Sequence, residues 1–95
     1  MVSLRWSSES LSDLNEIADY LKLESPTLAE MIVRKLLERG EKVIEFPMAG
    51  RVVPEYNKEN IRELIEYPYR IIYEIYDTNI AILRIIHGAR HFNPE

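Results

Sequence analysis

The stretch Asn60–Arg90, NIRELIEYPYRIIYEIYDTNIAILRIIHGAR, decides the fold. Three short runs rich in Ile, Tyr and Leu follow one another in it, separated by Tyr67-Pro68 and by Asp77-Thr78-Asn79. β-Branched and aromatic runs of this length, punctuated by turn residues, predict a three-stranded antiparallel meander. Successive side chains of a strand point to opposite faces. In the middle strand Tyr69, Ile71, Tyr73 and Ile75 therefore share one face, and Arg70, Ile72, Glu74 and Tyr76 the other. In the last strand, Ile80 to His87, the same rule puts Ala81, Leu83, Ile85 and His87 on one side and Ile80, Ile82, Arg84 and Ile86 on the other. Both faces of that strand are largely apolar, which predicts cover on two sides, one from the rest of the chain and the second left for a partner.

Working outward from the meander, Val2, Leu4 and Trp6 alternate with Ser3 and Arg5, a short first strand that joins the sheet at an edge or in parallel with the last strand. Ser7 and Ser8 offer a cap, and Leu11, Leu14, Ile17, Ala18 and Leu21 then recur at helical spacing. Glu24-Ser25-Pro26 stops one helix and starts another, with Ser25 as N-cap and Pro26 at the first helical position. The expected helices cover residues 8–23 and 26–46 and form an antiparallel hairpin. Gly40 falls on the apolar stripe of the second helix, where glycine costs roughly 1 kcal/mol, so a close helix crossing is the expected reason for it. The segment MAGRVVPEYNKEN after Pro47 has no periodicity and reads as a loop of about a dozen residues, a length common in functional loops. The tail from His91 to Glu95 has Phe92 as its one anchor and is expected to fray unless a partner holds it. The fold class is α+β: an N-terminal strand, a two-helix antiparallel hairpin and a three-stranded antiparallel meander, in the order βααβββ. Residues 1–95 make one domain, with the hairpin on one face of a four-stranded sheet.

Composition narrows the chemistry. The chain has 95 residues, no cysteine and a formal net charge of −4, with an isoelectric point of about 5.2. Without cysteine there is no disulfide framework and no thiolate metal site. No apolar run approaches the roughly 20 residues that a membrane span needs, and the N-terminus lacks a signal-peptide core, so a cytoplasmic protein with no membrane partner is expected. An acidic whole argues against nucleic acid as the principal ligand, because each phosphate contact asks for a Lys or Arg.

No cofactor or metal is expected. His87 and His91 lie four apart across a strand end with no acidic motif between them, and Gly40, Gly50 and Gly88 are not spaced for a nucleotide loop. No serine sits on a strand-to-helix elbow, which removes classical hydrolysis. What remains is Arg62, Arg70, Arg84, His87, Arg90 and His91 on or just beyond the sheet. As functional groups they polarise a phosphodiester or hold an acidic partner. As structural ones they pair with Glu63, Glu66, Glu74 or Asp77 across the ladder.

Four segments, WSSESLSDLNEIADYL (Trp6–Leu21), FPMAGRVVPE (Phe46–Glu55), IRELIEYPYRIIYEI (Ile61–Ile75) and ILRIIHGARH (Ile82–His91), closely resemble the ParE/RelE superfamily of toxins from type II toxin-antitoxin modules. They resemble in particular the ParE-like, or plasmid-stabilisation, branch. The resemblance runs from Leu4 to His91 and implies the strand, hairpin and meander already derived. It implies two mechanisms. The RelE-like branch enters the ribosome and cleaves mRNA with sheet arginines and lysines and a C-terminal tyrosine. Aligned through YRIIY, two of those arginines fall on Arg70 and Arg90, the lysines fall on Ile61 and Glu63, and the sequence ends before the tyrosine. A base in this chain would then be His87 or His91, as histidines serve some ribosome-dependent relatives. The ParE-like branch binds DNA gyrase and traps its cleaved-DNA complex without catalysis of its own. The acidic charge and the carboxylate at Glu63 favour this second branch.

The resemblance further implies a cognate antitoxin that lays an extended or helical segment over an exposed apolar groove, and the apolar face left over predicts a homodimer in its absence. Candidates for contact with target or antitoxin are Arg62, Arg70, Arg84, Arg90 and Phe92. A ribosome-dependent endoribonuclease, or a non-toxic relative that binds antitoxin alone, are the alternatives.

Overall fold

The computed structural model describes residues 2–88; Arg90, His91 and Phe92 lie outside them. Strand β1 (Ser3–Trp6) leads into helix α1 (Ser8–Lys22) and helix α2 (Pro26–Glu41), and strands β2 (Arg51–Val52), β3 (Ile61–Glu66), β4 (Tyr69–Ile75) and β5 (Asn79–His87) follow. The sheet runs β1-β5-β4-β3-β2, with β1 parallel to β5 and every other pair antiparallel. The meander, the hairpin and the parallel first strand stand where the sequence places them.

Both helices begin as their caps dictate. The Ser7 hydroxyl accepts from the Ser10 amide at 3.0 Å, and Ser25 accepts from Leu28 at 3.1 Å, with Pro26 where its missing N–H costs nothing. The second helix is shorter than its apolar stripe predicts. It ends at Glu41, and a 3₁₀ turn, Lys42–Ile44, carries Val43 into the core. Gly40 does have a packing reason, but the neighbour is the Trp6 indole of β1 and not a crossing helix. A Cβ there would stand 2.5 Å from Trp6 Cη2 and 2.8 Å from Cζ2, inside contact distance.

The segment after Pro47 is not a plain loop. A 3₁₀ turn, Pro47–Ala49, precedes β2, which pairs Arg51 with Glu63 and Val52 with Arg62 and gives the sheet a fifth strand in place of the expected four. Tyr73 holds this turn from beneath. Its hydroxyl donates to the Pro47 carbonyl at 2.6 Å and accepts from the Gly50 amide at 3.1 Å, which satisfies a phenol buried in the core.

One core lies between helices and sheet: Leu14, Leu36, Val43, Ile71, Tyr73, Ile80, Ile82 and Ile85, with Trp6 and Leu4 against it. Strict alternation sets Ile82 and Ile85 on opposite faces, and a β-bulge overturns this. Ile72 pairs with Arg84 but Tyr73 pairs with Ile82, so Leu83 is the extra residue that flips the phase of β5. The bulge is held from α1: Ser7 donates to the Leu83 carbonyl at 2.8 Å, and Asp13 accepts the Ile85 amide at 2.9 Å.

A second, smaller cluster covers the other face of the sheet: Val53, Ile61, Ile72 and Ile86, with Tyr56 and Leu83 beside it. The cover expected from a partner is therefore supplied in large part by the chain itself, through the strap of residues that follows β2. Among the described residues no helix is long and apolar enough to cross a membrane.

Candidate functional site

Arg70 is the residue on which the two mechanisms divide. Alternation in β4 turns it away from the helices, onto the face where Glu63 of β3 also points. The strap after β2 then brings Glu55 over both. Arg70 donates through Nε to Glu63 Oε1 at 2.6 Å, and through Nη1 and Nη2 to the two oxygens of Glu55 at 2.9 and 2.8 Å. Arg51, on β2, donates to the remaining Glu63 oxygen. Two guanidinium groups and two carboxylates thus form one chain, Arg51–Glu63–Arg70–Glu55, whose formal charges cancel. The Glu63 side chain is fully buried and that of Arg70 is 9% exposed, whereas that of Arg51 is 65% exposed. The Arg70 guanidinium is pushed up from its ordinary value, first by its hydrogen bonds to Glu55, with burial opposing and Glu63 reinforcing. It stays charged, and its charge is spent inside the protein.

The other arginines are also engaged. Arg62 donates to the carbonyls of Glu59 and Gly50, each at 2.9 Å, and so ties the strap to its own strand. Arg84 forms a fork with Asp13 at 2.8 and 3.0 Å, which raises its pKa through those hydrogen bonds, and Asp13 also holds the bulge amide. These are the structural roles that the sequence set beside the functional ones. Of the expected cross-strand partners, Glu63 does pair with Arg70, while Asp13, the Glu55 carboxylate and loop carbonyls serve where Glu66, Glu74 and Asp77 were anticipated.

His87 ends β5 opposite Tyr69, their rings meeting edge to face with centroids 5.8 Å apart. Register places His87 with Tyr69 on the helix side and Arg70 on the reverse side, yet both border a concavity of about 270 Å³ at the end of the sheet, with Arg51, Tyr67 and Ile65. Burial pushes the Tyr69 phenol up, which keeps it protonated at neutral pH. The structure thus brings Arg70 and His87 to one rim while sending Arg62 and Arg84 elsewhere. Among the described residues no group of three His, Cys, Asp or Glu side chains is placed to hold a metal ion.

Arg51 and Glu55 were not singled out by the sequence. Both sit in a stretch without periodicity; Arg51 reaches Glu63 and Glu55 reaches Arg70, the two residues of the chain of charges that the sequence did single out.

A family model described as "ParE toxin of type II toxin-antitoxin system, parDE" matches residues 4–92. The chain is 33% identical over 91 residues to Toxin RelE2 of Caulobacter vibrioides, covering 95% of this chain and 99% of the relative. Among solved structures, the chromosomal ParDE TA system from P. aeruginosa matches with a TM-score of 0.75 at 27% identity, over 92% of this chain and 96% of that one. The toxin-antitoxin complex RelBE2 from Mycobacterium tuberculosis matches with a TM-score of 0.66 at 22% identity, over 95% and 97% of the two chains, a likeness of fold alone. Family model, curated relative and fold agree, and the chain belongs to the ParE/RelE superfamily of toxins from type II toxin-antitoxin systems.

Proposed function

We propose that this toxin acts in the cytoplasm by binding DNA gyrase and holding its cleaved-DNA complex, without cutting RNA itself, and that a cognate antitoxin neutralises it. The observation that carries this is the occupancy of Arg70. An arginine that stabilises a phosphorane-like charge must meet the phosphate with its donors. Here Glu55 takes two of them and Glu63 a third. A phosphate reaching this guanidinium would have to displace Glu55 and would still face the Glu63 carboxylate. The Glu55 contacts that the phosphate would break are charge-assisted hydrogen bonds worth about 1.5–3 kcal/mol each, a cost set against transition-state binding. The match to the ParE family model supports the same branch.

Cleavage of message is the second reading. It is favoured by the likeness to Toxin RelE2 and by the rim that Arg70 and His87 share. The two readings part in one pair of assays with the purified chain: supercoiling by gyrase, and integrity of message on translating ribosomes. Inhibited supercoiling or accumulated cleaved complex, with message intact and the effect weakened by substitution at Arg90, is the expected result. Robust message cleavage abolished in His87→Ala would make the protein an endoribonuclease.

A further inference from the structure

Arg70 holds Glu55 as a guanidinium holds a phosphate, with two donors, Nη1 and Nη2, meeting the two carboxylate oxygens at 2.9 and 2.8 Å. Beside this fork lies a concavity of about 380 Å³, bordered by Arg51, Pro54, Glu55, Arg70 and Gly88. We propose that the Glu55 side chain is a latch: it fills, from within the chain, an oxyanion seat formed by Arg70 and Arg51, and once it swings out the seat takes a phosphate group. This seat stands on the occupancy of Arg70 and is independent of the toxin's target.

The two carboxylates on Arg70 are not alike. Glu63 lies within β3, its side chain fully buried, and holds Arg51 as well, so it cannot leave without opening the sheet. The Glu55 side chain is 22% exposed at the edge of the concavity, so rotation about its own bonds carries the carboxylate into water. The backbone beneath it stays. Val53 is fully buried and donates to the Ile61 carbonyl at 3.2 Å, and its own carbonyl accepts from the amides of Tyr56 and Asn57 at 3.1 and 2.8 Å. Asn57 closes that turn at a φ of 55°, in the left-handed region that asparagine tolerates. The strap keeps its place, and release is a side-chain event. Charge then decides what enters. In the chain Arg51–Glu63–Arg70–Glu55 the formal charges cancel, and withdrawing Glu55 leaves two guanidinium groups against one carboxylate. Arg51 is the second arm: it meets Glu63 through Nε, borders the same concavity and is mostly exposed. A tethered carboxylate competes at an effective concentration of about 1 mM or more, so free phosphate below that level does not displace it from the wild-type chain.

The test titrates the full chain with inorganic phosphate and, in a second arm, with a diribonucleoside monophosphate. The Nε–H resonances of Arg51 and Arg70 and the thermal midpoint report binding. Wild type is expected to respond to neither probe below roughly 1 mM. Glu55→Gln keeps the side chain's size and removes its charge. It is expected to tighten phosphate binding by at least about tenfold, the factor that one charge-assisted hydrogen bond carries. Glu55→Asp keeps the charge but draws it back by one methylene, and is expected to fall between the two; it answers the question should Glu55→Gln not fold. Adding Arg51→Ala to Glu55→Gln is expected to abolish the gain. Folded Glu55 variants no more sensitive to either probe than wild type would overturn the latch, as would wild-type binding as tight as theirs. A gain that survives Arg51→Ala undiminished would overturn the two-armed seat. A gain for the dinucleotide alone would support the seat as one for a phosphodiester, and a gain for inorganic phosphate alone as one for the free anion. Supercoiling by gyrase is read on the same proteins. A wild-type chain that leaves gyrase active while its variants gain phosphate would lose the target and keep the latch, and the converse would lose the latch and keep the target.

Discussion

Glu63 shows how one residue settles the character of a site. Its carboxylate is fully buried and accepts from both Arg51 and Arg70, so removing it leaves the almost buried Arg70 to Glu55, empties a buried carboxylate site and frees an Arg51 that is mostly in water. Glu63→Ala is therefore expected to destabilise the fold by about 3–5 kcal/mol, the usual cost of breaking a buried pair. Arg51→Ala should cost on the order of 1 kcal/mol, because an exposed partner contributes little. Urea midpoints for the two variants check the difference, and equal losses would mean that the chain of charges does not hinge on Glu63. From the sequence, Glu63 was legible as a carboxylate hostile to phosphate chemistry. Its pairing with an arginine across the ladder was legible too, but the closure of Glu55 over Arg70 was not, because Glu55 is placed by a strap with no periodic pattern to read.

Among the elements, those with a strong period were legible and those that break a period were not. The two caps, the hairpin and the meander follow from spacing and turn residues. The bulge at Leu83 does not, since Asn79–His87 reads as an uninterrupted apolar strand. It exists because α1 supplies what the interrupted ladder lacks: Asp13 accepts the Ile85 amide and holds Arg84. Asp13→Ala leaves that amide and that guanidinium without their acceptor, for a loss of about 1–3 kcal/mol, and amide exchange at Ile85 should quicken more than at Ile71 in the unbulged strand beside it. Uniform acceleration across both strands would show that Asp13 serves overall stability and not the bulge. The junction of β1 with α2 is tight for a different reason. Gly40→Ala gains helix propensity of about 1 kcal/mol but drives a methyl group into Trp6. Overpacking of that kind costs about 1–3 kcal/mol, so a net loss is expected in the wild-type chain and a net gain when Trp6→Leu makes room.

For the whole molecule the question is whether the strap is part of the folded core or an appendage to it. Two apolar clusters lie on opposite faces of one sheet. The larger holds Tyr73 and Ile71 against the helices, and the smaller holds Val53 over Ile61, Ile72 and Ile86. They are not independent, because neighbouring residues of β4 serve them alternately. Tyr73, within the first cluster, also anchors Pro47 and Gly50 at the root of the strap. A sheet whose two covers share strands and hydrogen bonds should unfold as one unit. Trp6, the single tryptophan, reports the helix side by fluorescence, and amide exchange across residues 53–57 reports the strap. Val53→Ala removes two methyl groups from a fully buried site, worth about 2 kcal/mol at roughly 0.8 kcal/mol per group plus the cavity left behind. If the domain is a single cooperative unit, that loss appears undiminished in the tryptophan transition on the far side of the sheet. A strap that melts early while Trp6 stays folded would separate the two, and would mean that Arg70 is exposed to ligands in a populated open state.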